Sequence, residues 1–293
     1  MIWLIGNKGM LGTELSLLLM EKGFQFIGTD REVDIINLHD LENFTHNYSI
    51  KWIINCAAYT AVDKAEDDVT SCRLLNVSGA ANIAIIAKSL GAGLIHISTD
   101  YVFDGKSSRP YTEDDPTSPI GVYGLSKRDG ENNIFKKNSS CYIIRSAWLY
   151  GSYGKNFVNT MLKLMNERES ISVVMDQRGS PTWAFDLSNA IITLLQQVDE
   201  NKNIPFGIYH FTNEDTCTWF EFANSIYSEG KSIGILSKPC EIKPCTSTEY
   251  PSRVTRPSFS VLDKSKIKKY LGLEIPDWKD SLRKYLQKTA GHK

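Results

Sequence analysis

Short apolar runs alternate with longer stretches of helical periodicity along the first half of the chain. The runs are Ile2–Ile5, Phe24–Thr29, Trp52–Cys56, Leu94–Ser98 and Cys141–Arg145. Each is short and rich in branched or aromatic residues, which predicts a buried strand. Between them, Leu11–Lys22 (ending at Gly23), Val69–Leu90 (ending at Gly91) and Ser126–Lys136 place apolar residues at helical spacing. A glycine after the last periodic residue is a helix stop. Strands alternating with helices predict a parallel sheet covered on both faces, and right-handed crossovers make it a doubly wound α/β sheet.

After about Gly151 the rhythm loosens. Ser172–Met175 and Ile208–Phe211 predict short strands, and Trp183–Val198 and Trp219–Ser228 predict helices, while Pro244, Pro251 and Pro257 punctuate the tail. The expected division is a dinucleotide-binding domain over 1–150 and a mainly substrate-binding region over 151–293, with room for some of its elements to return to the main sheet.

Composition removes several function classes. The 293 residues carry 33 basic and 34 acidic side chains, a net charge of −1. That balance argues against nucleic acid or an anionic membrane surface as partner. The N-terminus lacks the basic and long apolar stretches of a secretory signal, and no run of about 18 apolar residues predicts a membrane span. The six cysteines, Cys56, Cys72, Cys141, Cys217, Cys240 and Cys245, show no CxxC or zinc-like spacing. They are expected to be reduced thiols of a cytoplasmic protein.

Candidate chemistry begins at the first strand–helix junction. Gly6-Asn-Lys-Gly9-Met-Leu-Gly12 is a GxxGxxG loop. Its glycines permit a tight turn and close backbone approach to a pyrophosphate, and the helix N-terminus offers unpaired N–H groups to the anion. In a strand–turn–helix context this is a specific dinucleotide signal. An acidic residue is expected at the end of the second strand, and Asp30 stands there. Its carboxylate suits the ribose hydroxyls of NADH, whereas Arg31, with Lys8 in the loop, suits the 2′-phosphate of NADPH. The nicotinamide preference stays open at this point.

Tyr123 and Lys127 are four residues apart near the start of a predicted helix, hence on one face. A nearby ammonium favours the phenolate, which makes the tyrosine a usable acid near neutral pH. The pair alone is a common pattern. It gains weight from Ser98, Thr99 and Asp100 at the carboxyl end of the fourth strand, where ligands sit in doubly wound sheets. Thr99 is placed to hydrogen-bond the carbonyl that Tyr123 protonates.

These residues resemble the extended short-chain dehydrogenase/reductase family, with its Rossmann fold, and within it the dTDP-4-dehydrorhamnose reductases. Asn55–Glu66 is similar to that family's signature after the third strand, and Ser98–Gly105 to its catalytic strand end. Arg145–Trp148, Asn156-Phe157, Asp176-Gln177, Gly179–Thr182 and Arg256-Pro257 are similar to its later motifs, so the likeness spans nearly the whole chain. The resemblance implies a catalytic triad of Thr99, Tyr123 and Lys127. It implies that Gly6, Gly9, Met10, Leu11, Gly12, Asp30, Arg31, Asp34, Ile35, Ala57, Ala58, Tyr59 and Thr60, with Tyr123 and Lys127, hold the cofactor. Val62, Thr99, Asp100 and Trp148 are the implied contacts to a nucleotide sugar. The implied reaction is reduction of the C4 ketone of dTDP-4-dehydro-L-rhamnose by NADPH or NADH, on the route to polysaccharide.

Some members of the family hold Mg²⁺ with glutamates at a homodimer interface. Glu14 matches the first of these, and the Gly291-His292-Lys293 tail lacks another. Glu14 is expected to be solvated on an exposed helix turn, and no residue is assigned to a metal. Alternatives are another nucleotide-sugar 4-ketoreductase, an epimerase or dehydratase, and a non-catalytic NADP-binding subunit similar to that of methionine adenosyltransferase. A dehydratase places Asp-Glu after the threonine, whereas Thr99 is followed by Asp100-Tyr101.

Overall fold

A computed structural model describes residues 1–250 and 253–291; Pro251, His292 and Lys293 lie outside the described residues. Along the chain come β1 (Ile2–Ile5), α1 (Met10–Glu21), β2 (Phe26–Thr29), α2 (Leu38–Thr45), β3 (Trp52–Asn55), α3 (Val62–Ala65) and α4 (Val69–Arg73). A π-helical turn (Leu74–Gly79) leads into α5 (Ala80–Leu90), β4 (Gly93–Thr99), a 3₁₀ turn (Asp100–Val102), α6 (Val122–Lys137) and β5 (Cys141–Ser146). Then follow β6 (Leu149–Tyr150), α7 (Phe157–Glu167), β7 (Ser170–Val174), β8 (Arg178–Gly179), β9 (Thr182–Trp183), α8 (Ala184–Asp199) and β10 (Gly207–His210). The chain ends with β11 (Cys217–Thr218), α9 (Trp219–Ser232), β12 (Glu241–Cys245), α10 (Ser265–Leu271) and α11 (Trp278–Ala290).

The main sheet has six strands in the order β10-β5-β4-β3-β1-β2, and its pairings are parallel. This is the doubly wound α/β fold predicted from the alternation of strands and helices. The sixth strand comes from beyond residue 151. The order reverses between β1 and β3, and a crevice for ligand opens at such a switch point.

Side-chain alternation explains the layers. Ile2 and Leu4 of β1 pack with Leu15, Leu18 and Leu19 of α1 and Leu187, Ile191 and Leu195 of α8. Trp3 and Ile5 point the other way, onto Ile83, Ala84 and Ala87 of α5. Burying each such Leu or Ile stabilises the fold by about 1.5–3 kcal/mol, so both faces must be covered. A separate core joins α7, α9 and α11 through Val158, Met165, Phe222, Ile226, Leu282 and Leu286. It carries the paired strands β7 and β12.

The Val69–Leu90 helix forms as expected, and the expectation for Glu14 needs correction. Val69–Leu90 forms one continuous helix that is long and apolar enough, by length and composition, to cross a membrane. Its C-terminal half instead lays Ile83, Ala84, Ile86 and Ala87 into the core, and Gly91 ends it in the left-handed conformation. Glu14, expected in solvent, is 2% exposed. Helix α11 covers it, and Lys288 Nζ donates to its Oε1 at 3.4 Å. A charged partner from the far end of the chain makes that burial tolerable.

Candidate active site

Loops at the carboxyl ends of β1, β3, β4 and β5 open into a cavity of about 1460 Å³. Single small-molecule pockets run to about 1,000 Å³, so this one has room for two ligands side by side. Its floor is the glycine loop. Gly6 has φ +78°, and a Cβ there would meet the Ala57 N at 2.7 Å. A Cβ at Gly12 would lie 2.0 Å from the Gly6 carbonyl oxygen. Only hydrogen fits at either position, so the turn stays tight and the N-terminus of α1 faces the cavity.

Most of the predicted cofactor contacts converge here. Gly6, Gly9, Met10, Leu11, Asp30, Arg31, Asp34, Ile35, Ala57, Ala58 and Thr60 all line the cavity, as does Lys8. Gly12 sits behind the turn as a packing contact. Tyr59 is turned away: its hydroxyl donates to Asp68 Oδ2 at 3.3 Å, and its N–H donates to Asn76 Oδ1 at 2.8 Å. Lys8, read as added positive charge, is ion-paired at 3.1 Å with Glu32, which sequence reasoning missed. Asp34 turns one carboxylate oxygen to the Ile36 N–H at 3.0 Å.

Thr99, Tyr123 and Lys127 line the same cavity. Thr99 ends β4, where its hydroxyl donates to Asp100 Oδ1 at 3.0 Å and accepts the Tyr101 N–H at 3.2 Å. Tyr123 lies in the first turn of α6, whose N-terminus is satisfied from a distance: the Val122 N–H donates to Glu66 Oε1 at 2.8 Å. That contact explains why the Asn55–Glu66 segment ends in a carboxylate. Contrary to the expectation that the Lys127 ammonium lowers it, burial pushes the Tyr123 phenol up, and a hydrogen bond with Thr99 works against that rise. Lys127 is 2% exposed, and its Nζ donates to the Ile97 carbonyl at 2.8 Å. Burial brings its ammonium down to about 8, with the Glu131 carboxylate opposing.

Asp100 is buried, and its Oδ2 has no hydrogen-bond partner among the described residues. Burial raises its carboxyl to about 7, against hydrogen bonds from Thr99 and Ser260. Behind it, Arg145 makes a two-pronged ion pair with Glu131 at 2.9 and 2.7 Å, and the Ser98 hydroxyl donates to the same carboxylate at 2.5 Å. This buried network ties β4, β5 and α6 together.

The opposite wall comes from beyond residue 151, with Lys155, Phe157, Gln177, Trp219, Tyr250 and Arg256 among the lining residues. Trp148 and Val62 are in the lining as well. Trp148 holds φ +49°, an uncommon backbone for a bulky residue. Trp219 was missed in the sequence; the signal was the Thr218/Glu221 capping box, which starts α9 at that indole. Distant motifs meet around the rim. Arg256 pairs with Asp63 at 3.0 Å, Arg253 pairs with Asp67 at 2.8 Å, and Asp176 accepts from the Ser247 N–H and hydroxyl.

For a metal, no group of three or more His, Cys, Asp or Glu side chains suited to holding an ion occurs among the described residues. Glu14 stands with Lys288 rather than with other carboxylates.

Comparison with known proteins agrees over the whole chain. It is 36% identical over 280 residues to the dTDP-4-dehydrorhamnose reductase of Aggregatibacter actinomycetemcomitans, covering 95% of each chain. It is 39% identical to the spore coat polysaccharide biosynthesis protein SpsK of Bacillus subtilis, covering 97% of this chain and 96% of that one. The solved dTDP-4-dehydrorhamnose reductase of Bacillus anthracis, in complex with NADP, superposes with a TM-score of 0.90 at 35% identity, covering 98% of each chain. The family model described as the RmlD substrate binding domain matches residues 1–290, and the chain belongs to that family.

Proposed function

We propose that the chain is a nicotinamide-dependent dTDP-4-dehydrorhamnose reductase, reducing the C4 ketone of dTDP-4-dehydro-L-rhamnose to give dTDP-L-rhamnose for polysaccharide synthesis. The observation that carries this reading is the convergence of Thr99, Tyr123 and Lys127 on one cavity with the Gly6–Gly12 loop. Its similarity to reductases of that name over 95% of its length supports the substrate class.

The residues present fit a dinucleotide. Gly6 and Gly12 leave no space for side chains between the loop and its surroundings, so a pyrophosphate can approach backbone N–H groups at the start of α1. Asp30 and Arg31 stand side by side at the far end of that groove. One suits ribose hydroxyls and the other a 2′-phosphate, so the site accepts NADH and NADPH. The cofactor supplies the hydride when bound. Tyr123 keeps its proton until charge develops on the substrate O4, then donates it. The Thr99 hydroxyl, at the strand end beside the phenol, steadies the same oxygen. Lys127 lines the same cavity and returns a proton to the phenolate left behind.

In this reading residues 1–150 mainly hold the cofactor and 151–293 mainly hold the substrate. Trp148 and Trp219 form a stacked apolar wall for a sugar or base, with Val62 beside the sugar. The unpartnered Asp100 Oδ2 accepts from a sugar hydroxyl. Lys155 puts positive charge at the cavity wall, matching a diphosphate, and Arg253 and Arg256 can reach it only by sharing with Asp67 and Asp63. The cytoplasm is the compartment that fits, since it holds reduced nicotinamide and keeps the six free thiols reduced.

The test is a coupled assay in which dTDP-glucose is converted by an upstream dehydratase and epimerase, and the purified chain is added with NADPH or NADH. The expected result is stoichiometric nicotinamide oxidation with dTDP-L-rhamnose identified by NMR. Cofactor binding without turnover would overturn the enzyme reading. Turnover to a different 6-deoxy sugar would overturn the substrate assignment.

A further inference from the structure

Lys127 has a buried neighbour that the reaction described above does not use. The register of β3 and β4 sets Asn55 opposite His96, so both side chains leave the sheet on one face. His96 is 1% exposed and Asn55 is 1% exposed. Asn55 Nδ2 lies 3.0 Å from His96 Nδ1, and His96 Nε2 lies 3.2 Å from Lys127 Nζ.

The orientation of the Asn55 amide is set by a third group. Its Oδ1 accepts the Ala57 N–H at 3.0 Å. A flipped amide would put NH₂ against that N–H, so Nδ2 must face the imidazole. An amide nitrogen only donates, hence His96 Nδ1 must accept. In a neutral ring the other nitrogen then carries the hydrogen. Nε2–H therefore points at Lys127 Nζ. An ammonium has no lone pair to receive it, whereas a neutral amine has one. Burial and the Lys127 charge both hold the imidazole well below its ordinary value, so the ring stays neutral.

We propose that Asn55 and His96 form a positioning pair for Lys127: Asn55 locks the imidazole in its Nε2–H tautomer, and that N–H stabilises the neutral amine of Lys127. The inference rests on the reductase reading for its catalytic meaning. There, Lys127 gives a proton from its ammonium to the Tyr123 phenolate, and the N–H bond breaks as the phenol O–H forms. The resulting amine is the form His96 receives. The pair thus favours the state reached after proton delivery and keeps Lys127 from holding its proton too tightly.

Other groups that face Lys127 are Cys56 after β3, Cys72 on α4 and Glu131 on its own helix, with Arg145 of β5 paired to Glu131. Burial pushes the Cys56 thiol up to about 12 and raises the Cys72 thiol, so both stay uncharged near neutral pH.

The first arm of the test needs no activity. In ¹⁵N-histidine-labelled protein, long-range proton–nitrogen NMR spectra read the tautomer of each ring, and loss of one set in His96→Gln assigns His96. The expected pattern is Nε2 protonated and Nδ1 bare; hydrogen on Nδ1 overturns the proposal. The second arm is the pH profile of kcat/KM for two variants. His96→Phe removes the donor. Asn55→Asp keeps the shape but accepts from Nδ1–H, which turns Nε2 into an acceptor. Each is expected to move the alkaline limb up by about one pH unit, while His96→Gln, whose amide can donate, leaves it in place. With the opposite tautomer, His96→Phe would move the limb down. A limb that falls or does not move, in folded variants that bind cofactor normally, overturns the proposal. A wild-type protein without turnover overturns the reductase reading alone, and the NMR arm then decides the tautomer.

Discussion

The indole of Trp148 lies flat on that of Trp219, with ring centroids 3.5 Å apart and planes 9° from parallel. Phe157 closes on Trp219 from another side at 4.5 Å. The backbone of Trp148 is held at φ +49°, and a Cβ on Gly179 would strike its ring at 2.6 Å. One loop, the short strand β8 and two helices therefore converge to hold one aromatic platform at the cavity wall.

That platform predicts a binding phenotype. An aromatic pair contributes about 0.5–1.5 kcal/mol beyond its buried area. Trp219→Ala is expected to raise KM for the nucleotide sugar about tenfold, with kcat and nicotinamide affinity little changed. Steady-state kinetics alongside cofactor fluorescence titration checks this. An unchanged KM would make the stack a packing feature only.

Tyr123→Phe removes the acid and keeps the ring against Tyr101, whose centroid is 5.5 Å away. Turnover is expected to fall by about 10²- to 10⁴-fold, with cofactor binding nearly intact. Wild-type turnover in this variant would take the proton-donor role away from Tyr123. Loss of cofactor binding would instead assign the phenol to positioning the nicotinamide.

Gly12→Ala tests the loop. The added carbon would sit 2.0 Å from the Gly6 carbonyl oxygen, so α1 must shift. Overpacking of this kind costs about 1–3 kcal/mol, a fall in Tm of roughly 3–10 °C. Cofactor affinity should fall with it. Differential scanning calorimetry with and without NADPH separates the two effects.

Asp100 predicts a pH dependence of stability. Burial raises its folded-state value from 3.8 to about 7. A group raised in this way contributes stability that is fully present below its unfolded value and is lost as pH rises through its folded value. The wild-type protein is therefore expected to lose stability, on the order of a few kcal/mol at most, between about pH 4 and pH 8. Asp100→Asn does not titrate. The Tm of the variant minus that of the wild type should grow more positive from about pH 5 to pH 8. A difference that stays constant across that window would show that Asp100 does not titrate there.

What could be read from the chain alone was local in origin. The buried strand Ile2–Ile5, the glycine that stops Val69–Leu90 and the four-residue step from Tyr123 to Lys127 all depend on residues near one another in sequence. Their periodicity and turn chemistry are set by backbone geometry, so the parallel sheet, the phosphate loop and the candidate triad were all legible. Glu14 was misjudged because its burial depends on α11, more than 260 positions further on in sequence. Tyr59 turned away from the cavity because Asp68 and Asn76 claim it.

The sequence by itself determined which segments become strands and helices, and that a tyrosine, a lysine and a strand-end threonine lie near a glycine loop. Only the tertiary structure decided which distant groups meet: Glu66 on the first turn of α6, Trp219 on Trp148, Arg256 on Asp63, and His96 between Asn55 and Lys127. The physical reason is that local structure follows from interactions within a few residues. Long-range pairs are instead chosen by the packing of whole elements, a sum of many small contacts that no single motif encodes.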